Sequence, residues 1–417
     1  MTPASPPSFA DPEIQKCPFP FYDRLREELP VFHDPVTGHY VLTRYDDVRK
    51  ALLSPSILSN KTPFLGDRWT PEANAMFAKD GWLPMDTLVS NDQPEHRTYR
   101  SLVDKAFTSA KVKAIEPAID EMIADLIDGI IDRDEIDFLE DFAIPLPMFV
   151  IADQLGVSRE DRAIFKYWSN VAVETTGPLP PERQLELARV IIEMQQYMAI
   201  QIERVRTTPD DMLISRLANL DTDGRRLTDR ELQSIVFQIL LAGNETTTTT
   251  LASGMRLMIE QPALADAIYA DPSLANALTD EALRVATPLQ CLWRTALADI
   301  QFGDVTIPSG SIVEVRFGAA NRDPAQFACP ADVDLQRKNA ASHLAFGAGI
   351  HMCIGNQLAR TELRLAFQTL TRRMTNFRFS RGEASCSPLE GYTPFGLREL
   401  WMSFDPREGD KSVITTE

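Results

Sequence analysis

The chain has little that would place it in or across a membrane. Among its 417 residues, no apolar run approaches the roughly 20 residues that a membrane-spanning helix needs. Residues 1–10 have no basic start and no apolar centre, which argues against a secretory signal peptide. We therefore expect a protein that works without membrane attachment.

Basic residues are also in short supply. Lys and Arg number 42 against 60 Asp and Glu, and the formal net charge is −18. A strongly acidic chain repels nucleic acid and anionic lipid surfaces, so we expect neither as a partner. An acidic protein partner would need a local basic patch.

Paired cysteines and cofactor fingerprints are missing as well. The five cysteines are odd in number and scattered, which argues against a disulfide framework or a zinc site and favours a reducing cytoplasm. They are Cys17, Cys291, Cys329, Cys353 and Cys386. No Gly-x-Gly-x-x-Gly motif follows a strand and no cysteine cluster occurs, so the chain shows no flavin or iron–sulfur site of its own.

The apolar pattern predicts a mainly α protein with a smaller β region. Residues 1–20 are rich in proline, and we expect a flexible N-terminal segment there. Residues 31–43 read as a hairpin, residues 95–261 are mostly helical in pattern, and a second β region runs from about 300 to 315. No internal repeat or interdomain linker is visible.

One cysteine lies in an unusual setting. The run Phe346–Gly355 contains three glycines, two before Cys353 and one after it, which lets the backbone approach a flat ligand closely. The next residues, 356–367, have helical apolar spacing, and a helix N-terminus near the sulfur would favour a thiolate. The alternative is a buried structural thiol.

A long helix is predicted from Thr228 to Gln261. It begins with a capping box at Thr228–Glu231 and would be roughly 50 Å long. Its middle, residues 242–250, holds Gly, Asn and five successive Thr, all poor helix formers, and such rule-breaking is typical of functional sites. The alternative is a structural helix whose Thr hydroxyls bond back to its own carbonyls.

The Phe346–Gly355 run matches the cysteine-ligand loop of the cytochrome P450 family, and residues 242–247 resemble the family's acid–alcohol pair. The resemblance extends from about Cys17 to Leu400, nearly the whole chain. It implies a soluble bacterial enzyme whose residues 21–417 form one triangular, mainly α domain with a smaller β region. It also implies haem b, held between the long helix and the cysteine loop.

The resemblance implies a role for each matching residue. Cys353 would be the iron ligand, Glu245 the proton relay and Thr246 the hydroxyl at the oxygen site. Haem propionates need cations, because an unpaired buried carboxylate is costly. The implied haem-binding set is His96, Arg100, Arg294, His351, Phe346, Ala242 and Gly243. Each cation taken singly could equally be an ordinary surface or capping residue.

A structural ion pair is also implied. Glu281 and Arg284 lie three apart on one helix face, where a salt bridge forms naturally. The spacing alone is weak evidence, because Glu186–Arg189 repeats it and is better read as a solvated face. Arg337 resembles the family's third member, although Val333 stands where an aromatic residue is usual.

The resemblance to the family also implies substrate-binding and docking roles for further residues. The implied substrate-binding residues are Trp82, Leu83, Met85, Gln238, Leu241, Leu289, Gln290, Thr393 and Pro394. Electrons would come from NAD(P)H through a reductase and an acidic iron–sulfur ferredoxin. The cations expected to form its docking patch are Lys105, Lys111, Arg360 and Arg364.

The implied activity is insertion of one oxygen atom from O2 into a C–H bond of a small hydrophobic substrate. One alternative is a peroxide-driven or rearranging haem-thiolate enzyme, although such relatives usually lack the Glu245–Thr246 pair. Another is a haem sensor or electron carrier that performs no oxidation. A His–His metal site is the remaining alternative, and His33, His39 and His343 are expected to have no chemical role.

Overall fold

The computed structural model describes residues 7–61, 69–83, 85–175, 179–221, 224–389 and 391–407, apart from the Glu383 side chain. These residues are mainly helical with small β-sheets, which confirms the predicted fold class. The helices are α1 Pro12–Lys16, α2 Phe19–Glu28, α3 Tyr45–Leu52, α4 Pro71–Asp80, α5 Glu95–Val103, α6 Ser109–Asp128, α7 Pro145–Gln154, α8 Arg162–Glu174, α9 Pro181–Thr207, α10 Leu213–Asn219, α11 Asp229–Glu260, α12 Pro262–Ala270, α13 Ala275–Ala286, α14 Phe317–Ala320 and α15 Asn356–Arg373. The strands are β1 Val31–His33, β2 Tyr40–Leu42, β3 Leu58–Ser59, β4 Ile136–Asp137, β5 Cys291–Ala296, β6 Ile300–Phe302, β7 Val305–Ile307, β8 Ile312–Arg316, β9 Met374–Phe379, β10 Cys386–Pro388 and β11 Leu397–Pro406.

The predicted hairpin meets the last strand of the predicted second β region, β8, in one sheet, whereas β6 and β7 pair in a separate two-stranded sheet. The strand order of the sheet that contains the hairpin is β1-β2-β8-β5-β3. β1 and β2 pair antiparallel with Val31 opposite Leu42, which confirms the hairpin, and Gly38 turns the chain with a φ of +72°. β2 then runs parallel to β8. A further sheet has the order β10-β11-β4, with β9 also paired to β11.

The chain forms two compact units. The first consists of residues 1–60, 116–146 and 246–417, and the second of residues 61–115 and 147–245. The first unit contains all three sheets of the described residues and the cysteine loop. In the second, α4 packs on α8 and α9 around the fully buried Phe77. A buried side chain of this size contributes about 1.5–3 kcal/mol.

Part of the N-terminal segment is anchored. Residues 1–6 lie outside the described part of the chain, but the Ser8 hydroxyl donates to Asp34 Oδ1 over 2.7 Å and the Phe9 N–H donates to Asp34 Oδ2 over 3.0 Å. Phe9 is buried against Phe21 and Tyr22. A buried carboxylate and an aromatic cluster therefore hold Ser8 and Phe9, and the flexibility of the segment 1–20 stays a prediction.

The long helix forms as predicted. The capping box is present, since the Thr228 N–H donates to Glu231 Oε2 over 2.9 Å and the Glu231 N–H donates to the Thr228 hydroxyl over 3.3 Å. α11 then continues through all five threonines to Glu260. Near its end it packs closely on α15, because a Cβ on Gly254 would lie only 2.3 Å from Phe367 Cζ. Among the described residues, no helix has both the length and the apolar character needed to cross a membrane.

Candidate active site

The loop before α15 holds Cys353 close to a helix N-terminus. The Asn356 side-chain amide donates to the Cys353 carbonyl over 2.7 Å, and the Cys353 N–H donates to the Phe346 carbonyl over 2.8 Å. Gly347 and Gly349 take φ angles of +68° and +71°, which side chains other than glycine rarely adopt. α15 begins at Asn356, so its unpaired N–H groups and dipole favour the thiolate form of Cys353.

The middle of α11 is covered unevenly. Ala242 is exposed, although Leu240, two residues before it, is buried. Gly243 is half-buried and faces Ile151, since a Cβ there would lie 3.4 Å from Ile151 Cδ1. The small side chain of Ala242 therefore leaves its own position open, whereas Ile151 packs against the helix at Gly243.

Glu245 and Thr246 follow directly on the same helix. Glu245 is half-buried, and this burial raises the pKa of its carboxyl group. A carboxyl group whose pKa is raised toward neutrality can both accept and release a proton. Back-bonding of a Thr hydroxyl occurs one turn later, where Thr250 donates to the Thr246 carbonyl over 2.8 Å. Thr248 bonds outward instead, to the Ala143 carbonyl over 3.0 Å.

The four proposed propionate cations lie on three kinds of element. His96 and Arg100 lie one turn apart on α5, where burial and then the Arg100 charge lower the pKa of His96. Arg294 lies on β5, is buried, and donates to the Trp293 carbonyl over 2.7 Å. His351 ends the short 3₁₀ turn two residues before Cys353. Their role toward a propionate stays a prediction.

The predicted ion pair on α13 is present. Arg284 contacts both carboxylate oxygens of Glu281, at 2.7 and 2.9 Å, and Arg337 Nε lies 3.1 Å from Glu281 Oε1. The remaining Arg284 donors reach backbone carbonyls of Asn321, Pro330 and Asp332. The three charges thus tie α13 to the chain that leads into the cysteine loop.

Two of the four predicted docking cations are already paired. Arg360 forms an ion pair with Asp280, and Arg364 NH2 lies 2.9 Å from Glu116 Oε1. Their charges are therefore largely neutralised within the molecule, which does not fit a basic patch open to a partner. Lys105 is exposed and Lys111 is half-buried, and their role in docking stays a prediction.

Comparison with known proteins decides the family. The cytochrome P450 family model matches residues 181–398, about half of the chain. A curated relative, cytochrome P450 107B1 of Saccharopolyspora erythraea, is 35% identical over 366 residues and covers 86% of this chain and 88% of its own length. This chain belongs to the cytochrome P450 family.

Two further proteins extend the similarity of this cytochrome P450. The cyclomarin C epoxidase CymV of Salinispora arenicola is 34% identical over 385 residues, covering 91% of this chain and 94% of the relative. The solved structure of cytochrome P450 CYP109Q5 from Chondromyces apiculatus matches with a TM-score of 0.85 at 31% identity. That match covers 96% of this chain and 98% of the other.

The residues of this cytochrome P450 fit a haem. A haem-thiolate iron takes one cysteine ligand, which Cys353 can supply from the loop just before α15. Ala242 on α11 is small and exposed, so its side chain would not obstruct a flat macrocycle. By contrast, the described residues contain no group of three or more His, Cys, Asp or Glu side chains placed to hold a metal ion, so the His–His alternative lacks a ligand set there.

The predicted substrate segment at 82–89 lies along the first half of α11. The Met85 N–H donates to the Ser234 hydroxyl over 2.9 Å, and the Val89 N–H donates to Gln238 Oε1 over 3.2 Å. The Gln238 amide nitrogen in turn donates to the Thr87 hydroxyl over 2.8 Å. Gln238 therefore positions this segment with both amide atoms, which does not fit a substrate contact.

Two apolar residues of the predicted substrate-binding set, Trp82 and Leu83, are held by hydrogen bonds to their backbone groups. Gln195 binds both the N–H and the carbonyl of Trp82, at 3.1 and 2.7 Å, and Arg230 donates to the Leu83 carbonyl at 3.3 Å. Trp82, Leu83 and Leu241 are all half-buried. Their side chains are thus partly open while their backbone positions are fixed.

The other two predicted substrate segments pair with each other. Leu289 and Pro394 form an isolated antiparallel bridge, and the Gln290 N–H donates to the Thr393 carbonyl over 2.8 Å. The Gln290 side chain does not fit its predicted role. It is buried, accepts a hydrogen bond from Tyr22 over 2.8 Å and donates to two backbone carbonyls of its own turn.

A buried polar cluster next to this turn was missed by sequence reasoning. Glu314 Oε2 lies 2.6 Å from Arg316, and Glu314 Oε1 accepts hydrogen bonds from Tyr392 and, over 2.7 Å, from His39. His39 therefore has a structural partner that was not expected. The available signal was the i, i+2 spacing of Glu314 and Arg316, which places both on one face of a strand.

Proposed function

We propose that this cytochrome P450 is a haem-thiolate monooxygenase that inserts one oxygen atom from O2 into a C–H bond of a small hydrophobic molecule. The single observation that supports this most strongly is the geometry of Cys353, half-buried between a glycine-shaped loop and the N-terminus of α15. We assign Cys353 as the iron ligand and haem b as the cofactor. The described residues, which include all five cysteines, contain no disulfide, and this suits a reducing cytoplasm.

When bound, the haem would supply the redox and O–O cleavage chemistry, which thiolate donation favours. The chain's own part is to keep Cys353 deprotonated and its sulfur in place. The helix N-terminus supports the charge, and the hydrogen bonds of Cys353 to Phe346 and Asn356 hold the backbone on both sides of the sulfur.

Proton supply would fall to Glu245 and Thr246. The raised pKa of Glu245 keeps a protonated fraction available nearer neutral pH than an exposed glutamate would. Thr246, next in sequence, would place its hydroxyl at the oxygen site, where the protons are consumed. Balance requires two electrons and two protons for each O2, with one oxygen atom entering the product and the other leaving as water.

The substrate would be apolar. The half-open side chains of Trp82, Leu83, Met85 and Leu241 are suited to a lipophilic molecule, whereas the amides of Gln238 and Gln290 are engaged within the protein. The turn at Thr393 and Pro394 would form another wall. It lies beside the threonines of α11, because a Cβ on Gly396 would lie 2.8 Å from Thr249 Cγ2.

Electrons would come from NAD(P)H through a reductase and a separate acidic ferredoxin, since the sequence has no flavin or iron–sulfur motif. Exposed Lys105 and half-buried Lys111 would contribute to docking. A peroxide-driven enzyme would need neither these lysines nor Glu245 as a proton relay.

The test begins with the reduced, carbon monoxide-bound protein. It should show the red-shifted Soret band of thiolate ligation, and Cys353→His should abolish the band while Cys386→His leaves it unchanged. A compound library is then screened for the haem spin-state shift, and hits are incubated with ¹⁸O₂, NAD(P)H, reductase and ferredoxin. One ¹⁸O atom in the product supports the proposal. Turnover with peroxide alone, and none with the electron-transfer proteins, would contradict it.

A further inference from the structure

A three-residue cluster lies beside the cysteine loop and has no part in the function proposed above. His343 is almost completely buried, and its Nε2 lies 3.5 Å from Asp280 Oδ1. Arg360, on the first turns of α15, forms an ion pair with the same carboxylate. The cluster therefore joins α13, α15 and the start of the loop.

The hydrogen bonds define which nitrogen of His343 carries the proton. The Ala345 N–H donates to Nδ1 over 3.2 Å, so Nδ1 must be unprotonated. Nε2 then carries the proton, and Asp280 is the acceptor within reach, because the neighbouring Arg360 can only donate. Burial also lowers the pKa of His343, which favours this neutral form.

The same residues surround the aromatic ring at the head of the loop. The Arg360 guanidinium lies 5.0 Å from the centre of the Phe346 ring, and the His343 ring lies 5.6 Å from it. The Phe346 carbonyl accepts the Cys353 N–H over 2.8 Å. Movement of the Phe346 backbone would therefore move the residue that carries the thiolate.

We propose that His343, held in one tautomer by Asp280, is a positioning residue for the Cys353 thiolate. It fixes the Ala345 backbone through Nδ1, and Asp280 holds Arg360 over Phe346. The cluster thus ties the start of the loop to α13 and α15. This inference rests on the assignment of Cys353 as the iron ligand.

Three variants separate positioning from simple packing. His343→Phe keeps a ring against Phe346 but removes the acceptor for the Ala345 N–H. His343→Asn restores an acceptor oxygen near the position of Nδ1. His33→Phe makes the same change on an exposed hairpin residue and serves as the control.

The readouts are the midpoint reduction potential and the rate at which the ferrous carbon monoxide complex loses its thiolate Soret band. His343→Phe should lose the band about fivefold faster, the factor expected for one net hydrogen bond, and should shift the potential. His343→Asn and His33→Phe should match the wild type within about twofold. If His343→Phe does not fold, Asp280→Asn carries the test, with the same faster loss expected.

Two outcomes would overturn the inference. One is a wild-type rate and potential in His343→Phe, or in Asp280→Asn where that variant replaces it. The other is a defect in His343→Asn equal to that in His343→Phe, which would show packing alone. A wild-type protein without the thiolate band would instead overturn the assignment of Cys353 itself.

Discussion

Arg284 Nε lies 2.7 Å from Glu281 Oε1, and both side chains have 0% exposure to solvent. Arg337 shares the same carboxylate, so one negative charge faces two guanidinium groups away from water. Removing one partner of such a group leaves charge that neither water nor protein compensates, which is far more costly than losing a surface pair.

We therefore expect Glu281→Gln to lower the free energy of unfolding by about 3–5 kcal/mol. Urea unfolding followed by circular dichroism measures the change. Because the amide keeps the size of the side chain, the loss would report the missing charge rather than a cavity.

A matched control exists on α9. Arg183 NH1 lies 2.6 Å from Glu186 Oε2 at the same i, i+3 spacing, but both side chains are exposed. Glu186→Gln should cost less than about 1 kcal/mol. Equal losses in the two variants would contradict the importance of burial.

A second prediction concerns the stability of the protein against pH. Glu362 on α15 is almost completely buried, its Oε2 has no hydrogen-bond partner among the described residues, and burial raises its pKa to about 8 from the ordinary value of 4.5. Below pH 4.5 the Glu362 carboxyl group is protonated in both the folded and the unfolded state, so its titration does not change the free energy of unfolding. As the pH rises above 4.5, Glu362 ionises only in the unfolded chain. The free energy of unfolding therefore falls by about 1.4 kcal/mol per pH unit until Glu362 also ionises in the folded state.

Glu362→Gln removes this titration. The variant should therefore unfold at a higher temperature than the wild type at pH 8, with a much smaller difference at pH 5.5, in thermal scans followed by circular dichroism. Glu193→Gln, at an exposed site on α9, should match the wild type at both pH values. A constant gain at all pH values would show that the amide stabilises the site for another reason.

Sequence patterns predicted best those features that depend on local chemistry. The capping box at Thr228, the glycine-shaped loop at Cys353 and the Glu281–Arg284 pair all follow from short spacings, and the structure contains each of them. Such features depend on residues that are close in the chain, so their geometry can be read without the fold.

Contacts between distant segments were the ones that sequence reasoning missed. Gln290 was expected to meet a substrate, but a tyrosine 268 residues away, Tyr22, occupies its amide oxygen. The Phe9 ring lies 3.8 Å from the Arg316 guanidinium, a contact that the sequence did not predict. Each outcome depends on which side chain arrives from elsewhere in the fold.

A third prediction tests the proton relay. Glu245→Gln keeps the shape of the side chain but cannot release a proton, so product formation should fall by about 100-fold. The solvent deuterium isotope effect should rise, while substrate affinity, measured by the spin-state titration, should stay unchanged. Glu260→Gln in the last turn of the same helix is the control and should retain full activity. Unchanged turnover in Glu245→Gln would remove this residue from the proton path.

The fourth prediction concerns electron transfer. Lys105 and Lys111 are at least partly exposed, whereas Arg364 is occupied by Glu116 at 2.9 Å. Reversing a solvent-exposed positive charge slows the encounter with an acidic ferredoxin, and this effect on the rate weakens as salt screens the charges. Lys105→Glu and Lys111→Glu should therefore each slow reduction several-fold at low ionic strength, with little difference from the wild type at 0.5 M salt.

Two comparisons make this result specific. Lys79→Glu, an exposed change on α4, should reduce at the wild-type rate if the docking site is local rather than a response to net charge. Arg364→Glu should slow reduction less than Lys111→Glu, because Glu116 already balances the Arg364 charge within the molecule. Stopped-flow measurement of haem reduction under carbon monoxide gives each rate. A larger effect at Arg364 than at either lysine would show that its ion pair opens when the partner docks.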